Sequence, residues 1–173
     1  MEEPVDIDGY RRRVTVRDGT SILLRPITPG DEELMLSLFY AFSPQTRYQR
    51  WLHVKEHMPR EELREYLHHD FERQVGILAV YEDWEGELPL GVGRFAVEGD
   101  HAEVAVVVRD DWQGRGVGTA LLDFLGDIAR RKGLRGFVAE VNADNHPMLH
   151  VFQKMGFSVE GCRQGVCRLR REF

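Results

Sequence analysis

The sequence predicts a mixed α/β (α+β) domain built on one mostly antiparallel sheet of six to seven strands with helices packed against it. Three observations carry this. Apolar residues recur at helical spacing through residues 28–69, the period then shortens to two over three successive segments, and a third-segment strand runs straight into the glycine cluster QGRGVG at 113–118 and another amphipathic helix. At 173 residues the chain is expected to form a single domain over 1–173, one that buries roughly 70% of the surface its unfolded form exposes.

In chain order, RRRVTVRDGTSILLRPI alternates about an Asp18-Gly19 turn and reads as a strand hairpin that Pro26 ends. Thr28 reads as an N-cap, followed by Pro29 and an acidic first turn, Asp31, Glu32 and Glu33, before Leu34, Leu38 and Phe42 mark one helical face. Ser43-Pro44 opens a second short helix, and Pro59 with EELREYLHH a third that aligns Leu63 and Leu67. His68, His69 and Asp70 read as its solvated end. VGILAVYED, PLGVGRFAVEG and HAEVAVVVRD follow as an antiparallel meander, the last apolar enough from Val104 to Val108 for a strand buried on both faces. VGTALLDFLGDIARRKG places Val117, Leu121, Leu125 and Ile128 on one face and stops at Gly133. GFVAEV is a strand, NHPMLHVFQKMGF a helix with Pro147 in its first turn, and FSVEGC and VCRLRRE close the chain as strands.

Composition narrows the function classes. With 42% apolar and 30% charged residues the chain is of ordinary globular type, and neither a repeat nor a disordered tract stands out. No run approaches the ~18 apolar residues of a membrane span, and MEEPVDIDGYRRR lacks the apolar segment of a secretory signal, so a cytoplasmic protein without membrane contact is expected. Net charge is −6, divided as −9 over residues 1–108 and +3 over 109–173. Nucleic acid is therefore an unexpected partner, whereas an anionic small ligand suits the C-terminal part and a cationic one the N-terminal part. Cys162 and Cys167 are expected as reduced thiols. His53 and His57 have metal-compatible spacing without a third ligand, so no metal is expected.

The glycine cluster has the most specific chemistry. A P-loop would need GxxxxGK[ST], and no lysine lies between Gly114 and Gly126; the dinucleotide fingerprint would need glycine where Thr119 and Leu121 stand. What remains is an anion seat: backbone that can approach a ligand closely, leading into the unpaired N–H groups of a helix N-terminus, with Arg115 adding positive charge. Glycines that simply make a tight strand-to-helix turn are the competing reading.

The stretch VVVRDDWQ, QGRGVG, amphipathic helix, strand and NHPMLHVFQKMGF resembles the acyl-CoA binding core of the GNAT superfamily of N-acetyltransferases. Gln113, Gly116 and Gly118 match that family's Q/R-x-x-G-x-G/A, and Asn145, Met148, Gly156 and Phe157 match its later segment, over about residues 102–160. DGTSILLRPITPGDEELMLSLFYAFSPQTRYQRW at 18–51 is more narrowly similar to the acetyltransferase domain of bacterial protein-lysine acetyltransferases, which is often fused to other domains. The resemblance implies a V-shaped splay between the strands at 102–109 and 136–141 that admits acetyl-CoA as co-substrate. The backbone of Val106, Val107 and Val108 would meet the pantetheine. Residues Gln113, Gly114, Arg115, Gly116, Val117, Gly118 and Thr119 would hold the pyrophosphate, and Asn145, Met148 and Phe152 would border the thioester.

A lysine amine, with an ordinary pKa of about 10.4, must lose a proton before it can attack a thioester. Glu103, at the start of the buried strand, is the expected general base and Glu140 the second candidate; each could equally face solvent or pair with an arginine. Many family members carry a tyrosine at the position of Phe152, whose hydroxyl can protonate the departing thiolate. Here the thiolate would take a proton from water or another side chain, or leave without one. Three functions stay open: acetylation of a protein lysine, acetylation of a small amine, and acyl-CoA sensing without turnover. An exposed sheet edge would also allow a homodimer.

Overall fold

The chain forms β1 (Arg12–Thr15), β2 (Ser21–Pro26), α1 (Glu32–Ala41), α2 (Pro44–Trp51), α3 (Arg60–Leu67), β3 (Gln74–Asp83), β4 (Gly86–Glu98), β5 (His101–Val108), α4 (Val117–Arg131), β6 (Gly136–Asn142), α5 (His146–Lys154), β7 (Ser158–Arg163) and β8 (Val166–Glu172). This computed structural model describes residues 8–173. Its strands make one eight-stranded sheet in the order β1-β2-β3-β4-β5-β6-β8-β7. All eight segments read as strands join the sheet, which therefore exceeds the expected six to seven. All neighbours are antiparallel except β5 and β6, which run parallel.

Alternation along the central strands explains why they read as apolar throughout. Ile22, Leu24, Ile77, Ala79, Val104, Val106 and Val108 point to one side, where α4 packs with Leu121, Leu122, Phe124, Leu125 and Ile128. Leu23, Leu78, Val80 and Val107 point to the other, against Met35, Leu38, Phe39 and Phe42 of the α1 segment and Leu63, Tyr66 and Leu67 of α3. Each fully buried Leu or Phe of these layers contributes about 1.5–3 kcal/mol of transfer free energy, so both faces of the sheet must be covered.

Four sequence readings are refined. Thr28 caps a 3-10 turn, Pro29–Asp31, rather than α1 itself. The acidic turn it leads is divided: Glu32 and Glu33 are exposed, while Asp31 is 5% exposed. His69 is not part of a solvated end. Its ring lies so close over Gly76 that a Cβ there would meet it at 2.7 Å. Burial, reinforced by Arg94, draws its pKa down to about 4. The cysteines are not reduced. Gln164 and Gly165, with φ of 54° and 79°, make a two-residue turn that sets Cys162 opposite Cys167, and the two are joined as a disulfide.

The buried charge that links sheet to helices is Arg25, at 7% exposure. Its guanidinium donates from both Nη atoms to Asp31 at 2.9 and 2.8 Å and from Nε to Glu87 at 2.8 Å. Asp31 also accepts from the Thr28 N–H at 2.8 Å. Burial pushes the Asp31 carboxyl upward, but the Arg25 and Thr28 bonds outweigh it and hold the group below the ordinary carboxylate range. The network thus stabilises the fold above the unfolded-state carboxyl pKa and loses that contribution as pH falls through the lower folded-state value. Asp31→Asn, which leaves Arg25 short of a buried counter-charge, should cost about 3–5 kcal/mol in urea unfolding at pH 7. The deficit against wild type should shrink as the pH is lowered into the acid range.

Candidate active site

β5 and β6 pair only from His101/Gly136 to Glu103/Val138, although β5 continues to Val108 and β6 to Asn142. Beyond Glu103 the strands part. The Arg109 N–H donates to Leu90 of β4 at 2.8 Å, and the β4–β5 register is unbroken. Alternation therefore turns the backbone of Val107, Ala105 and Glu103 toward β4, and that of Val104, Val106 and Val108 toward the opening. The result is a cleft of about 370 Å³ between β5, β6, α2 and the ends of α4 and α5.

One end of the cleft is the glycine loop. Gly114 and Gly116 have φ of 74° and 96°, a region strained for any other residue, so their glycines are required by the turn itself. Gly116 is the N-cap of α4, and the first helical bond runs from Ala120 N–H to its carbonyl at 3.0 Å. No side chain caps this end, which leaves the N–H groups of Val117, Gly118 and Thr119 as first-turn donors at the positive end of a 15-residue helix. Gly118 lets the helix lie close to β5: an added Cβ would sit 3.7 Å from Val108 and 3.9 Å from Met148. These donors, the open backbone edge of Val104, Val106 and Val108, and the cleft volume together fit a ligand with an anionic centre and an amide-bearing arm.

Arg115 sits elsewhere than its sequence position suggests. Its guanidinium lies 3.7 Å over the Trp112 ring and bonds Asp18, whose carboxyl is drawn down to about 2 by the side chain and N–H of Thr20 and then by Arg115. Arg17, beside it in the hairpin turn, donates its N–H to the Arg115 carbonyl at 3.2 Å and borders the cleft in its place. Gln113 donates its amide to the Val108 carbonyl at 2.9 Å and to Thr46 at 3.3 Å. Asp110 accepts from the Ser43 N–H and hydroxyl at 2.9 and 2.7 Å and from Thr46 at 3.0 Å. Together they strap α2 across the cleft, so that Gln49, Arg50 and Trp51 form one wall.

The opposite wall is α5. Asn145 is its N-cap and accepts from the Met148 N–H at 3.3 Å. Met148 borders the cleft half-buried. Phe152 is 1% exposed and edge-on to Phe157 at 4.8 Å, with its ring forming part of the floor. Val107 is brought to the cleft but its side chain belongs to the layer under α1 and α3.

Glu103 and Glu140 both line the cleft, from β5 and β6. Both side chains lie on exposed residues and neither forms a hydrogen bond or ion pair with another described residue. Loss of hydration raises the Glu103 carboxyl, and the charges of Glu140 and Glu98 raise it further, against smaller opposing effects of Arg168 and Arg50. A carboxylate so raised is a stronger proton acceptor at the mouth of a cleft. Sequence reasoning found both glutamates and the loop glycines. It missed the α2 wall, although SPQTRYQRW carries the Ser43-Pro44 helix start that builds it.

The sequence over residues 36–157 matches the family described as Acetyltransferase (GNAT) family. The chain is 38% identical to "Acetyltransferase Pat" of Mycolicibacterium smegmatis over 83% of its own length and 43% of that protein's. It is 34% identical to "Acetyltransferase PA5475" of Pseudomonas aeruginosa, covering 87% of this chain and 82% of the relative. The chain thus spans less than half the length of the first relative and most of the second. The crystal structure of the GNAT domain of S. lividans PAT superposes with a TM-score of 0.89 at 31% identity, covering 99% of this chain and 100% of that one. Fold, cleft and sequence agree: the chain belongs to the GNAT acetyltransferase family.

Proposed function

We propose that the chain transfers an acetyl group from acetyl-CoA to a primary amine, with a protein lysine as acceptor and Glu103 as general base. The observation that carries this reading is the meeting, in one cleft, of an uncapped helix N-terminus, an unpaired strand edge and an unpaired carboxylate with a raised pKa. The pyrophosphate would rest on the N–H groups of Val117, Gly118 and Thr119. The pantetheine amides would pair with Val106 and Val108, and the thioester would reach the space beside Met148 and Phe152. The amine nitrogen attacks the thioester carbonyl, its proton passes to Glu103 directly or through water, and the C–S bond breaks to release the CoA thiolate. Glu140 adds a second negative charge that favours a cationic amine at the mouth. The likeness to Acetyltransferase Pat, together with the resemblance over residues 18–51, favours a protein lysine over a small amine. A cytoplasmic site of action belongs to this same reading; among the described residues no helix is long and apolar enough to cross a membrane.

Thioester consumption measured with a panel of proteins and small amines should give turnover with lysine-bearing proteins. Turnover with small amines alone would reassign the acceptor, and tight acetyl-CoA binding without turnover on any amine would make the chain a sensor. Gly116→Glu forces a side chain into a φ of 96° and sets a negative charge at the helix end. By calorimetry it should weaken acetyl-CoA at least about tenfold, a step of 1.4 kcal/mol, with the circular dichroism of the fold retained. Unchanged affinity would remove the loop from the binding site. Glu103→Gln should leave acetyl-CoA affinity intact and lower kcat by about 10²–10⁴-fold. The rise of rate with pH through the titration of Glu103 should disappear with it.

A further inference from the structure

Arg50 is a cation of the cleft that the reaction above does not use. Arg50, near the end of α2, is half-buried and lines the cleft, yet it makes no hydrogen bond or ion pair with any described residue; its guanidinium carbon lies 5.2 Å from the Trp51 ring centre. A guanidinium carries five N–H donors and one permanent charge, so leaving it without an anion in a partly dehydrated wall is costly. The groups that act on its charge most strongly are Tyr66 and Glu62 from α3, Arg94 from β4 and Glu103 from β5. Arg94 is a like charge, stacked 4.7 Å over the Tyr66 ring. Glu62 is already bonded to Lys55 at 2.6 Å. Only Glu103 among these is an uncommitted carboxylate.

From the side of Glu103, two cations oppose its rise, Arg168 more strongly than Arg50. The charges that face it are Glu140 on β6, Glu98 on β4, Arg168 on β8 and Arg50 on α2. Arg168 is itself paired with Glu160, at 3.9 Å. His150 of α5 borders the cleft as well. An unpartnered cation on α2 and an unpartnered anion on β5 thus face one cleft, and the strap of Asp110, Gln113 and Thr46 fixes the first element against the second.

We propose that Arg50 is a positioning residue for acetyl transfer: from the α2 wall it stabilises the anionic form of Glu103, the form able to accept the amine proton, against the repulsion of Glu140 and Glu98. The proposal rests on Glu103 being the base. Burial and Arg94 lower the proton affinity of the guanidinium, which nonetheless stays cationic at any working pH. Its influence on Glu103 grows when substrates fill the cleft and exclude water, because the interaction of the two charges is then less screened. Burial, Glu140 and Glu98 thus keep Glu103 raised enough to be basic, while Arg50 keeps it from rising so far that it is protonated where the enzyme works.

The test is the pH dependence of kcat in wild type, Arg50→Gln, Arg50→Lys and Glu103→Gln, with acetyl-CoA affinity measured on each by calorimetry. Without the cation, Glu103 must lose its proton at higher pH, so the acid limb of Arg50→Gln should move upward. At a fixed pH on that limb, the rate relative to its own plateau should fall about threefold to tenfold. Arg50→Lys, which keeps the charge, should return the limb toward wild type, and acetyl-CoA affinity should hold within about twofold. If Arg50→Gln does not fold, Arg50→Met keeps the stem against Trp51 and should show the same shift. An acid limb in its wild-type place in the neutral variant overturns the proposal. A limb unaltered in Glu103→Gln overturns the general-base reading instead, so the two failures are distinct.

Discussion

Everything the site does depends on where two parallel strands stop pairing. β5 and β6 share a register only through Glu103 and Val138, and pairing carried on along β5 would seal the edge that Val104, Val106 and Val108 leave open. A buried strand with unpaired N–H and C=O groups is costly in a sheet covered on both faces. Ligand backbone-like amides are the natural replacement. The splay also fixes the position of Glu103, the last paired residue of β5, so that the carboxylate stands where the strands begin to diverge. The open edge and the placement of this carboxylate are thus consequences of a single break in the ladder.

A splayed sheet needs something to hold the gap at one width. The structure uses the β5–α4 connection for this, tying Asp110 and Gln113 to Ser43 and Thr46 at the N-terminus of α2. Gln113 at the same time occupies the Val108 carbonyl, the last acceptor of the open edge. The hairpin turn at the start of the chain closes the other flank through Asp18, Arg115 and the Arg17 N–H. Residues from two distant parts of the sequence therefore set the geometry of a loop whose own conformation requires only two left-handed glycines.

Local pattern made the scaffold legible and long-range pairing did not. The periods of two and 3.6, the Asp18-Gly19 turn, the Ser43-Pro44 start and the glycine loop are each decided within a few residues, and each was readable. The eight-stranded extent of the sheet and the Cys162–Cys167 bond depend on how hairpin registers complete. Arg115 is the sharpest case: as a residue in a phosphate-like loop it reads as a ligand, but Asp18, 97 positions away, engages its guanidinium. Arg50 is the reverse. In SPQTRYQRW it is one of two arginines, and only the folded arrangement shows that, of the two carboxylates acting on it, Glu62 is already paired and Glu103 is not. Charge identity is local information, whereas charge availability is tertiary.

The leaving group follows from the same distinction. In the proposed reading Phe152 stands where the resemblance places a proton-donating hydroxyl, and it is sealed at 1% exposure against Phe157. Its ring contributes packing and has no proton to give; in the proposed reading it would also keep water from the thioester end. A thiol of ordinary pKa near 8.5 leaves far more readily than an alkoxide would, so the harder proton problem is at the amine, whose pKa is about two units higher. In that reading the electrostatics centre on Glu103, raised by Glu140 and Glu98 and opposed by Arg168 and Arg50, while Met148 and Phe152 make the sulfur side apolar. Asymmetry of that kind fits a site whose acid–base demand lies on the acceptor side of the reaction.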